Sequence, residues 1–131
     1  GGRVNYYPFH IGEPWQSELK IAIAERDATT TAKDRSRLNS RIRSIRIAAA
    51  RAKGTHTEAM WFSLVAAFDC RCVMCGEAML TREVQKDHIV PIYQGGSDGI
   101  ENLQPLCLPC NTSKGPDNTN WVEFRMERGF N

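Results

Sequence analysis

Long hydrophobic runs are missing from this sequence. The longest apolar stretch, residues Ala59 to Phe68, is broken by Ser63 and is too short to span a bilayer, so no membrane partner is expected. No N-terminal segment has the charged-then-apolar build of a signal peptide, which sets the expectation of a reducing, cytoplasmic compartment. Internal repeats and low-complexity tracts are absent. So is a large charge imbalance: the formal net charge is only +2. With 41% hydrophobic and 24% charged residues, wholesale disorder, collagen-like sequence and coiled-coil monotony are excluded. What remains is an ordinary globular chain of 131 residues, long enough for one domain with an extension.

The charge is unevenly spread. Residues 1–60 hold 11 Lys/Arg against 6 Asp/Glu, and residues 61–131 hold 6 against 9. Lys33 to Lys53 carries eight basic residues and one acid, Asp34. Taken alone, that run reads first as a solvated helix face and second as a polyanion footprint.

Residues 1–14 read as an irregular lead whose Tyr6, Tyr7 and Phe9 pack on the main body. Apolar spacing predicts a helix from Trp15 to about Asp27, a break at Thr29–Thr31, and a second helix from Ala32 to about Ala52. Leu38, Ile42, Ile45, Ala49 and Ala52 form one stripe of the second helix, suited to packing on the domain or, as the rival, to a dimer seam. Gly54 stops it. Thr55 with Glu58 suggests a capping box and a third helix from about His56 to Phe68, burying Trp61, Leu64, Val65 and Phe68. Residues 80–90 and 103–107 are strand-like. A helical turn is expected at Asn111 to Lys114, and a last helix at Asn120 to Arg128, capped by Thr119.

Five cysteines are an odd number, but four form two Cys-x-x-Cys pairs, Cys72/Cys75 and Cys107/Cys110. Such turns each supply two sulfurs, and two turns complete a tetrahedral zinc site that braces a small domain. The 31 residues between the pairs exceed zinc-ribbon spacing, so the pairs are expected to clamp the ends of an inserted hairpin. A redox dithiol needs a strand–helix alternation that is not visible. Cys70 competes with Cys72 for the first position; Cys72 keeps the two-residue spacing and is preferred.

Between the pairs lie Asp87 and His88, then Gly95-Gly96-Ser97-Asp98, then Asn102; Asn111 and Lys114 follow the last cysteine. Asp87 and Asn111 offer hard oxygen ligands, suited to Mg²⁺ or Mn²⁺. His88 is able to take a proton from water near neutral pH. Lys114 offers a cation for a phosphate. Neighbours on a strand face opposite ways, so a bend or bulge is required for Asp87 and His88 to share a site. The set is the equipment of metal-assisted phosphodiester hydrolysis.

Cys72-x-x-Cys75, Asp87-His88-Ile89-Val90-Pro91, Gly95-Gly96-Ser97-Asp98, Asn102-Leu103-Gln104-Pro105-Leu106, Cys107-x-x-Cys110-Asn111 and Lys114 together resemble an HNH endonuclease. The resemblance covers residues 55 to 115 and is similar to phage or prophage members. It implies an α+β fold: a small ββα-metal, treble-clef-like, zinc-braced nuclease domain over residues 55–131, with an N-terminal helical, Arg-rich extension over residues 1–54. It implies that Asp87 and Asn111 bind the catalytic ion, that His88 is the general base, and that Asn102 holds the loop and orients His88. Asn111 stands where many members carry His, which favours Mg²⁺ or Mn²⁺ beside the structural Zn²⁺. The implied partner is DNA, cut or nicked in a bacterial or phage-infected cell. Arg37, Arg41, Arg43, Arg46 and Lys114 are the expected phosphate contacts. Monomer and homodimer both stay open. The rival reading is a zinc-braced DNA-binding module without catalysis.

Overall fold

Helices α1 (Trp15–Ala28) and α2 (Ala32–Lys53) fold back on one another across the threonine break. They belong to a computed structural model that describes residue 12, residues 14–115 and residues 117–130. The expected packing of Tyr6, Tyr7 and Phe9 lies outside the described residues. The Thr31 hydroxyl accepts the Asp34 N–H at 3.2 Å and starts α2. Ile42, Ile45 and Ala49 pack against Leu19 and Ala22 of α1, so the stripe is used within the chain. Ala50, not Ala52, completes the buried set, because a loop from the cysteine half lies over the end of α2.

Helix α3 spans Glu58–Ala67. Its cap is Thr57, whose hydroxyl accepts the Met60 N–H at 3.1 Å, two residues later than Thr55. The later start leaves His56 outside the helix, with its Nδ1 against the Asp98 carbonyl at 2.7 Å. Trp61, Val65 and Phe68 are buried and Leu64 is half-buried, the face expected from spacing.

Strands β1 (Gln85–His88) and β2 (Leu103–Leu106) pair antiparallel, with Asp87 opposite Gln104 and His88 opposite Leu103. Helix α4 (Leu108–Lys114) packs on β1 and completes a ββα unit. It begins before Asn111 because Cys107 is its N-cap and Pro109 suits the first turn. Helix α5 (Trp121–Arg128) is capped by Asn120, which accepts the Glu123 N–H at 3.0 Å. Thr119 is spent on the Asp117 carboxylate instead. Phe68, Cys72, Val73 and Leu106 form the core of this half, next to Trp61, Val65 and Leu103. No described helix is long and apolar enough to cross a membrane.

Candidate active site and cysteine knuckles

The first knuckle is a tight turn. Gly76 closes it at φ +82°, where a side chain would be strained, and its N–H donates to the Cys72 carbonyl at 2.7 Å. The Val73 N–H reaches the Pro105 carbonyl at 3.1 Å, which fastens this turn to β2. The second knuckle is the start of α4. The ligand atoms of Cys72, Cys75, Cys107 and Cys110 all lie within 4.8 Å of one another. Cys75 Sγ and Cys107 Sγ are 3.8 Å apart. Four Zn–S bonds of about 2.3 Å at tetrahedral angles separate sulfurs by about 3.8 Å, so the donor set fits zinc. Burial raises the Cys75 and Cys110 thiols. Burial also works against ionisation of Cys72. There the backbone N–H groups of Cys75, Cys107 and Met74 outweigh it and bring the thiol down to about 7. Cys70 is outside the cluster; it packs near Trp61, Val65 and Leu103.

Asp87, His88, Asn111 and Lys114 line one cleft of about 480 Å³, with Lys86, Pro91, Ile92, Tyr93 and Gly115. No bulge separates Asp87 from His88, since the strand register is unbroken through His88. Instead β1 ends at His88 and the chain bends at Ile89 and Val90. Both side chains nevertheless line the cleft.

Two donors approach the same carboxylate oxygen of Asp87. Gln104 Nε2 donates to Oδ2 at 2.9 Å, and Lys114 Nζ stands 3.3 Å from it. Gln104 is fully buried, and its Oε1 accepts the Trp121 N–H at 2.9 Å. The Lys114 side chain is 1% exposed, so its ammonium faces Asp87 from inside rather than reaching out as a phosphate hook. His88 Nε2 lies 2.8 Å from Asp98 Oδ1. Asn102 is behind the cleft. Its Oδ1 accepts the Val90 N–H at 2.9 Å, and its Nδ2 donates to the Val90 and Ser97 carbonyls. It fastens the loop to the strand end and makes no bond to His88 itself.

Sequence reasoning does not single out Gln104 or Asp98, though both stand in the quoted motifs. The signal for Gln104 is its place opposite Asp87 once two strands are paired. For Asp98 it is a glycine-rich return loop that leads back to the strand.

The four α2 arginines expected to meet phosphates, Arg37, Arg41, Arg43 and Arg46, are not equivalent. Arg43 and Arg46, with Arg26, rim a groove of about 290 Å³ whose apolar walls include Ile42, Ile47, Ile92 and Tyr93. Ile92 and Tyr93 also line the cleft, so the groove and the cleft share a wall. Arg41 stands 3.9 Å from Glu25, and Arg37 is exposed; neither lines the groove or the cleft.

A family model described as HNH endonuclease matches residues 72–117, from the first knuckle through α4. A CRISPR-associated endonuclease Cas9 from Corynebacterium diphtheriae is 42% identical over 48 residues. That match covers 36% of this chain and 4% of the Cas9 protein.

Proposed function

We propose that this chain is a metal-dependent DNA endonuclease hydrolysing phosphodiester bonds, a reading supported by the match of residues 72–117 to the HNH endonuclease model. The observation that carries the reading is the single cleft that gathers Asp87, His88 and Asn111. Asp87 and Asn111 would hold Mg²⁺ or Mn²⁺, the hard ions that oxygen donors select. Both donors to Asp87 fall on Oδ2, which leaves Oδ1 for that purpose. When bound, such an ion supplies Lewis-acid polarisation of the phosphoryl oxygen and neutralises charge on the leaving oxygen.

His88 accepts a proton from the attacking water. Its Nε2 is taken by Asp98, so Nδ1 is the receiving atom. Gln104 fixes the Asp87 carboxylate, and Lys114 balances its charge. Asn102 keeps the bend after β1 in place. The four knuckle cysteines hold a structural Zn²⁺. A phosphate backbone lies along α2 with Arg43 and Arg46 nearest the cleft, while Arg37 and Arg41 meet phosphates further out.

Supercoiled plasmid incubated with zinc-loaded protein and Mg²⁺ or Mn²⁺ tests this reading. Open-circular or linear product is expected from the wild type, and about 10²-fold less from His88→Ala. A gel shift without product from either protein would replace it with the DNA-binding module.

A further inference from the structure

His88 is aimed by a residue ten positions away. Its Nε2 meets Asp98 Oδ1 at 2.8 Å. A neutral imidazole carries one proton, and the nitrogen that faces a carboxylate is the one that carries it. The other nitrogen then keeps its lone pair.

We propose that Asp98 is the positioning residue of His88. It holds the imidazole in the Nε2–H tautomer, with Nδ1 bare to receive the proton of water. The proposal rests on the assignment of His88 as the base.

Asp98 is built to stay in place. Its backbone N–H donates to the Ala50 carbonyl at the end of α2, at 3.1 Å. Its own carbonyl accepts from His56 Nδ1 at 2.7 Å. His56 is fixed from its other side, where Lys86 Nζ donates to Nε2 at 2.8 Å. Arg51 Nε lies 3.9 Å from Asp98 Oδ2, and 19% of the Asp98 side chain is exposed. The loop that carries Asp98 has no room to slide. A Cβ on Gly96 would fall 1.9 Å from the Val90 carbonyl oxygen, and one on Gly54 would fall 2.8 Å from Ser97 Oγ. Asn102 Nδ2 adds a bond to the Ser97 carbonyl at 2.7 Å. A carboxylate that merely drifted past a histidine would not have both its backbone N–H and its carbonyl tied. The orientation of a base within a site has to be fixed this closely for proton transfer to be efficient.

The test combines kinetics with the ring protons of His88, in full-length zinc-loaded protein. Asp98→Ala is expected to lower kcat for plasmid nicking about 10²-fold, with KM and zinc content unchanged. Asp98→Asn keeps the backbone ties but can also turn its Nδ2–H toward His88 Nε2, which puts the proton on Nδ1, so it keeps most of the loss and shows a mixture of tautomers. In the His88→Ala background, Asp98→Ala costs nothing further, because a positioning residue has nothing left to position. Nitrogen-15 correlation spectra of neutral His88 show the Nε2–H form in wild type and a mixture of tautomers in Asp98→Ala. Four outcomes would overturn the proposal: a wild-type Nδ1–H form, an unchanged tautomer in Asp98→Ala, full activity in Asp98→Ala, or additive losses in the double variant. Should Asp98→Ala lose zinc, Asp98→Asn alone decides by the same spectra. Full activity of His88→Ala would instead remove the base assignment itself, a failure distinct from that of Asp98.

Discussion

The two halves of this molecule are held together by different physics. The α1–α2 hairpin has an apolar seam of Leu19, Ala22, Ile42, Ile45 and Ala49, drawn from two long helices. The cysteine half has an apolar core of its own, with Phe68, Val73 and Leu106, and adds what the hairpin lacks, four clustered sulfurs on two turns. A seam of methyl groups tolerates sliding and repacking. A tetrahedral site does not, because ligand number and angle are fixed. On the proposed reading, the half that holds a histidine and an aspartate in one geometry would have, with zinc on its sulfurs, the stiffer fastening.

Removing zinc breaks this contrast most severely. Cys107→Ser is expected to abolish the cooperative melt of the cysteine half, since a structural zinc contributes on the order of 10 kcal/mol. The far-UV helical signal of α1 and α2 should largely survive. An unchanged melting curve with one zinc still bound would show that the sulfurs are not the fastening. In the other half, Ile42→Ala opens a cavity in the seam. It should cost about 2–5 kcal/mol in denaturant unfolding and leave zinc content intact.

Smaller effects sharpen the comparison at the site. Gln104→Ala strips a buried donor from Asp87 and an acceptor from the Trp121 N–H. It should cost about 1–3 kcal/mol of stability and weaken Mn²⁺ binding in a calorimetric titration. Arg43→Glu with Arg46→Glu should lower the slope of log K against log salt by about 2, while Arg37→Glu should change it by about 1 and leave kcat alone. The smallest effect concerns pH. The Cys72 thiol lies at about 7 against an ordinary 9.0. The Cys72 thiolate is the form that binds metal, and it is lost as pH falls through 7. Zinc uptake followed with a metal indicator should accordingly strengthen as pH rises through 7.

Much of this was legible in the sequence because it is local. The helix seam follows from period, and the knuckles follow from spacing. The cleft residues follow from motif. The caps were off by one or two residues, since Thr55 and Thr119 stand beside residues with other partners. Neither the pairing of His56 with the Asp98 carbonyl nor that of Thr119 with Asp117 leaves a trace in periodicity. Lys114 shows the same limit: in sequence it is a cation at the end of a helical turn, and only the fold turns it onto Asp87. Gln104 and Asp98 act through contacts across a strand pair and a loop return, and such contacts exist only in three dimensions.

The contact between the Ala50 carbonyl and the Asp98 N–H bears on how this protein is to be cut and spliced. Gly54 looks like the seam between a binding helix and a nuclease, yet the Asp98 loop leans on residues 50–54. A chimera joined at Gly54 would therefore carry the Asp98 loop without the shelf beneath it. The workable junction lies ahead of Trp15, so that the donor piece brings both helices of the seam.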